Sequence, residues 1–142
     1  MTKPSCVFCD IIQGQSPASM VYADEQAIAF MDIRPVVSGH LLVIPRVHAA
    51  SLADLEADAG AHLFRVGMKL ATALRRSTLR CEGINFFLAD GVAAGQDVFH
   101  VHLHILPRFQ GDGFGLRFPP GYWDLPGRDT LDALAAQIRE AL

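Results

Sequence analysis

The sequence predicts an α+β fold, an antiparallel β-sheet with one long helix and a C-terminal helix, and three observations carry it. From His100 to Leu106 imidazole and aliphatic side chains alternate residue by residue, which is the period of a β-strand. Two apolar runs, Met20 to Ala23 and Gln26 to Met31, are parted only by Asp24-Glu25, the pattern of a hairpin. Apolar residues at Leu52, Leu55, Leu63, Val66, Leu70, Ala73 and Leu74 recur at near-helical spacing through Arg76, and Leu131, Leu134, Ile138 and Leu142 do so again. Segregated helix and strand patterns favour helices laid on one side of the sheet.

Each element follows from local chemistry. Val7 to Ile12 reads as a short turn of helix closed by Gly14 and followed by Pro17, which holds Cys6 and Cys9 near the surface. The hairpin delivers Asp32 at its far end. Pro35 and Gly39 break the chain, and His40 to Ile44 forms a mostly apolar strand ended by Pro45, which cannot donate to a central ladder. Ser51 is placed to cap the long helix, with an interruption expected near Gly60. Gly83 to Leu88 is the next strand. Asp90 to Gln96 is a small-residue loop running into the histidine strand, a candidate phosphate cradle. From Pro107 to Gly127 there is no periodicity, only glycines, prolines, Phe114, Phe118, Tyr122 and the single Trp123. Asp129 or Thr130 can cap the terminal helix.

Composition bounds the function. The 142 residues fit one domain able to bury about two-thirds of its unfolded surface. Hydrophobic residues make up 51% and charged residues 19%, which excludes disorder, yet no apolar run approaches the ~18 residues of a membrane span. A formal charge of −3 leaves no broad cationic surface for nucleic acid, so phosphate recognition must be local. The polar start, Met1 to Cys6, lacks a secretion signal, and three cysteines fit the cytoplasm rather than a disulfide framework. Cys6-x-x-Cys9 then calls for metal or redox chemistry, or neither; Cys81 reads as a core filler.

On a strand His100, His102 and His104 share one face in steps of about 7 Å, while Val101, Leu103 and Ile105 enter the core. Clustered imidazoles disfavour each other's charged forms, so some stay neutral near pH 7, as a nucleophile or metal ligand must. The motif resembles the histidine-triad signature of the HIT nucleotide hydrolases and transferases, in their Hint-like and Fhit-like branch. The resemblance extends through Cys6 to Ile12, Asp32 to Pro35, Gly39 to His48 and Ala94-Gly95-Gln96, about residues 5 to 115, with a C-terminal loop and helix over 116 to 142. It implies a single HIT domain over 1 to 142, a purine nucleotide substrate with an AMP or GMP moiety, and a homodimer built on the main helix and a strand edge.

It also implies roles. His102 would form a covalent nucleotidyl-histidine that water opens to release a nucleoside monophosphate. His104, His40 and His100 complete the catalytic set, with simple packing the alternative for His40. Asp32 would accept the ribose hydroxyls, or be only a hairpin-end turn residue, with Ile33 and Phe8 as purine-contact surfaces. Gly95 and Gln96 would offer close backbone approach and an amide donor to phosphate. Two positions depart from the family: Ala89 stands where Asn or Gln is usual, and Asp97 where Ser or Thr is usual. Cys6, Cys9, His48 and His100 match a structural zinc site of zinc-carrying relatives; two buried thiols and a core His48 are the competing reading. Beside a hydrolase of phosphoramidates, nucleotidyl-sulfates or dinucleoside polyphosphates stand a slow-turnover nucleotide-binding or signalling module and a metal-dependent hydrolase. The last is disfavoured because no carboxylate is interleaved with the histidines.

Overall fold

The structure, a computed structural model, describes residues 5–142. The start of the chain on which the cytoplasmic expectation rests, Met1 to Pro4, lies outside them. Five antiparallel strands form one sheet in the order β1-β2-β3-β5-β4: β1 Met20–Ala23, β2 Ala27–Met31, β3 Leu41–Pro45, β4 Gly83–Phe87 and β5 Leu103–Arg108. Helices α1 Val7–Ile12, α2 Ala57–Arg76 and α3 Arg128–Glu140 complete it.

Alternation along the strands sorts two cores. Ala27, Ala29, Leu41, Val43, Val101, Leu103 and Ile105 turn to one face, where they meet Leu63, Val66, Leu70 and Leu74 of α2. Ile28, Phe30, Leu42 and Ile44 turn to the other, where they meet Phe8 of α1. The expectation of helices on one side is therefore corrected, because α1 covers the face that α2 leaves open. Close approach of α2 depends on Gly67: a Cβ there would stand 3.0 Å from Cε2 of Phe86 and 3.3 Å from Leu103.

The hairpin is held by Asp24. One carboxylate oxygen accepts from the backbone N–H of Gln26 and Ala27 at 2.7 and 2.8 Å, the other from the Tyr22 hydroxyl at 2.8 Å and from Nε2 of His62 on α2 at 2.7 Å. Burial works to raise this carboxyl's pKa, but those four hydrogen bonds together prevail and hold it well below the usual range.

Four boundaries differ from expectation. Ser51 opens not the long helix but a 3-10 turn, Leu52–Asp54, its hydroxyl donating to the Asp54 carboxylate at 2.8 Å. The break falls at Leu55 and Glu56, which are extended, and Gly60 lies inside α2, above Leu55. The ladder of β5 begins only at Leu103: β3 ends at Pro45, which has no N–H to offer Val101, and the Val101 N–H donates to the Ala49 carbonyl at 2.8 Å instead. Gly127 stands at the N-cap of α3, with Asp129 and Thr130 in its first turn. The apolar stripe of α3 meets no core, Leu131, Leu134, Ile138 and Leu142 all being exposed. Among the described residues no helix is long and apolar enough to cross a membrane.

Candidate functional site

Although the ladder starts late, the period-two placement survives. The rings of His100 and His102 lie 5.8 and 5.3 Å from that of Phe8, edge-on, and the His102 and His104 rings are 4.9 Å apart. His100, His102 and His40 are buried, and His104 is partly so.

Hydrogen-bond partners fix the tautomers. Nδ1 of His102 lies 2.8 Å from the His100 carbonyl, which can only accept, so in the neutral ring Nδ1 carries the hydrogen and Nε2 the lone pair. The Val36 N–H donates to Nδ1 of His40 at 3.2 Å, so the hydrogen of neutral His40 sits on Nε2 and points at Nδ1 of His104, 2.8 Å away. His104 is thereby left with its hydrogen on Nε2, as a donor. Burial foremost depresses the basicity of both rings, for His40 against the opposing pull of the Asp32 carboxylate and for His104, to about 4, with the help of the His102 and His40 imidazoles, so this relay is neutral at pH 7.

Gly39 sets the turn that starts the relay. Its φ is +92°, and a Cβ there would come within 3.0 Å of both Leu79 and Pro107, so glycine is needed for conformation and for space.

A cavity of about 240 Å³ opens beside the wall, lined by Phe8, Asp32, Ile33, Asp97, His102 and His104 among others. Asp32 accepts the Arg34 N–H at 2.8 Å through one oxygen, and its other oxygen lies 3.5 Å from Nε2 of His40. Ile33 is 91% exposed at the rim, where it presents an apolar surface. Val7, Ile11, Arg34 and Val98 also line the cavity and were not singled out from the sequence; the i, i+4 pair Val7 and Ile11 on α1 was the available signal.

The loop before the wall is less as expected. Gln96 is buried, its amide oxygen accepts the Gly91 N–H at 2.8 Å, and its nitrogen donates to the carbonyls of Ala50 and Val98 at 2.7 and 3.1 Å. Both amide hydrogens are spent, so the expected side-chain donor to phosphate is corrected to a brace of the loop. Gly95 follows the 3-10 turn Val92–Ala94 in the left-handed region with open space above it. Ala89 is buried and is not among the residues lining the cavity. Asp97 is 65% exposed, yet one carboxylate oxygen stands 3.6 Å from Nε2 of His102, and the other 4.0 Å from Arg34.

Behind the wall the four expected metal-site residues come together. Nδ1 of His100 lies 3.5 Å from Sγ of Cys6, 3.7 Å from Sγ of Cys9 and 3.2 Å from Nδ1 of His48, which is itself 3.4 Å from Sγ of Cys9. The Zn–S and Zn–N bond lengths of a tetrahedral site imply ligand separations of roughly 3.4 to 3.8 Å, close to these. His100 donates through Nε2 to the Pro45 carbonyl at 2.8 Å, which leaves the lone pair on Nδ1, and burial foremost keeps it neutral. The donor set fits a zinc ion.

Asp32, His40 and His104 form a second group with ligating atoms within 4.8 Å. A cation there would have to displace the hydrogen shared between the two imidazoles, so we read it as a relay.

Sequence comparison agrees with this geometry. The HIT domain profile matches residues 13–111. The chain belongs to the HIT domain family. A HIT family protein from Bacillus anthracis superimposes with a TM-score of 0.87 at 38% identity, covering 99% of both chains. A zinc-bound histidine triad family protein from Mycobacterium smegmatis gives 0.76 at 40% identity, over 97% of this chain and 98% of that one. A histidine triad nucleotide-binding protein from Candida albicans gives 0.83 at 30% identity, over 96% of each. Membership accounts for the antiparallel sheet and the histidine wall together.

Proposed function

We propose that this HIT protein cleaves purine nucleotides at the α-phosphate, taking a nucleoside phosphoramidate or dinucleoside polyphosphate and releasing a nucleoside monophosphate. The observation that carries this is the Nε2 lone pair of His102, held by the 2.8 Å bond from Nδ1–H to the His100 carbonyl and turned into a cavity that also contains Asp32. The nucleotide-binding relative in Candida albicans supports the ligand class.

In the first step the Nε2 lone pair forms a bond to phosphorus as the bond to the leaving group breaks. The leaving group takes its electron pair and, if an amine, a proton from solvent. Nε2–H of His104 donates to a phosphoryl oxygen, where charge accumulates. Water then attacks phosphorus, His102 departs with its lone pair restored, and the monophosphate leaves. Asp32 accepts the ribose hydroxyls, and Ile33 and Phe8 flank the base. Zinc held by Cys6, Cys9, His48 and His100 would supply structure only, since four protein ligands leave no open position for chemistry. Thiols kept reduced for metal suit the cytoplasm.

Following AMP release from adenosine 5′-phosphoramidate tests the reading, with acid-labile labelling of the protein by radiolabelled substrate as the covalent signature. Absence of both, with nucleotide still bound, would favour the slow-turnover binding module, which Ala89's lack of a hydrogen-bonding side chain and the Asp97 carboxylate at the nucleophile support.

Asp97 should set the leaving-group preference. Within about 4 Å of a polyphosphate oxygen, an ionised carboxylate costs on the order of 1 kcal/mol in water-like surroundings and up to ~4 kcal/mol at a protein surface. An amine departs without that repulsion. Asp97→Ser should therefore raise kcat/KM for dinucleoside polyphosphates at least about fivefold relative to phosphoramidates. A ratio unchanged to within about twofold means that Asp97 does not govern the choice.

The homodimer is supported by Phe64 and Met68, which stand one turn apart on α2 and are more than half exposed. Light scattering should give twice the 15.4 kDa of one chain. A mass of one chain at micromolar concentration would refute it.

A further inference from the structure

His102 must meet a phosphorus atom, yet its side chain is only 3% exposed, and the group that stands before its Nε2 is a carboxylate. One oxygen of Asp97 lies 3.6 Å from Nε2, close to the separation at which an attacking atom and its target come together. The same oxygen accepts the Val98 N–H at 2.9 Å, and the other lies 4.0 Å from the Arg34 guanidinium. Asp97, Val98, Arg34 and His102 all line the nucleotide cavity. An anion is thus held among a backbone donor, a cation and the nucleophile, which is the company a substrate phosphate needs.

The carboxylate is held lightly, and its surroundings are not. Neutral His102 turns a lone pair toward it and gives no hydrogen bond, and 4.0 Å is too long for one from Arg34. The Val98 N–H is its hydrogen-bond donor among the described residues. The Asp97 side chain is 65% exposed and can turn outward. Val98 stays in place, because its carbonyl accepts from the Gln96 amide at 3.1 Å and that buried amide is itself tied to Gly91 and Ala50.

We propose that the Asp97 carboxylate holds the position of the substrate's α-phosphate, that an incoming phosphate turns it outward, and that Arg34 then passes from Asp97 to the phosphate as a substrate-binding cation. The inference rests on the reading that His102 attacks the α-phosphate. Repulsion by Asp97 acts only on charge, whereas occupation of the position acts on any tetrahedral group placed there. Calorimetry with adenosine, AMP and 5′-O-sulfamoyladenosine, whose tetrahedral sulfamate is uncharged, separates the two. In Asp97→Ala, AMP should bind at least fivefold more tightly and the sulfamate at least threefold. Adenosine should change by less than twofold, which also checks that the variant folds. Arg34→Ala added to Asp97→Ala should then weaken AMP at least threefold and leave the sulfamate within twofold. Tightening of AMP alone would overturn the inference in favour of simple repulsion, and so would unchanged affinity for both. AMP indifferent to Arg34→Ala would remove Arg34 from the phosphate site. The expected affinities without AMP release from adenosine 5′-phosphoramidate would overturn the hydrolase reading and still support Asp97 as the group a bound phosphate displaces.

Discussion

Replacing His102 by Ala is expected to lower turnover at least ~10³-fold, about 4 kcal/mol of transition-state stabilisation, while nucleotide affinity changes only a few-fold. The asymmetry follows from what the ring does. Its Nε2 lone pair makes the bond to phosphorus, whereas recognition of base and ribose is assigned to Ile33, Phe8 and Asp32, whose own side chains the substitution leaves in place. No neighbouring imidazole can substitute. His104 carries its hydrogen on Nε2 and accepts from His40 through Nδ1, and His100 commits Nε2 to the Pro45 carbonyl. The variant also loses the edge contact between His102 and Phe8, worth about 1 kcal/mol, so its melting temperature should be recorded to separate loss of chemistry from loss of fold. Acid-labile labelling should disappear with turnover. Activity within tenfold of the parent chain, in a folded variant, would move the nucleophile elsewhere.

The wall was legible in the sequence because period two belongs to the side chains. His100, His102 and His104 share a face although only His104 lies in β5: His100 and His102 both meet Phe8 on one side, while Val101 and Leu103 turn into the core beneath α2. Where the ladder opens was not legible, because that depends on Pro45, an antiparallel partner more than fifty residues away. The same limit explains Gln96. Its amide is a fair phosphate donor in isolation, but burial beneath Gly91, Ala50 and Val98 gave it three backbone partners first. The break before α2 was displaced for a related reason. Glycine at position 60 is the weakest local helix former, yet the chain turns at Leu55, whose side chain packs against the core under α2. The relay from Val36 through His40 to His104 carries no sequence signal at all, because a backbone N–H is the same in every residue and only the turn at Gly39 aims this one. In α3 the stripe was legible as a face, but its exposure was not, since periodicity reports that a face is apolar and not what covers it.

Zinc at Cys6, Cys9, His48 and His100 is the second large effect expected, and it concerns stability rather than chemistry. Helix α1 spans six residues, too few to persist on its own, and its hold on the sheet runs through Phe8 in its first turn, with Cys6, Ile11 and Ile12 packed beside it. Cys6 already caps the helix, its sulfur accepting the Cys9 N–H at 3.4 Å. A metal joining both thiols to His48 before the wall and His100 within it would tie α1 to the sheet at a point that chain connectivity leaves open. Binding to the folded form alone, with free zinc at about a thousand times Kd, adds about 4 kcal/mol. For a chain of this size that raises the melting temperature by at least ~10 °C. Protein made in zinc-supplemented medium should contain one equivalent by plasma mass spectrometry, and Cys6→Ser/Cys9→Ser should contain almost none and melt correspondingly lower. Chelation should lower the melting point of the parent chain and leave that of the double variant where it was. Metal near zero in the parent would refute the site, and one equivalent persisting in the double variant would place the ion elsewhere, with the Asp32, His40 and His104 group the next to remove.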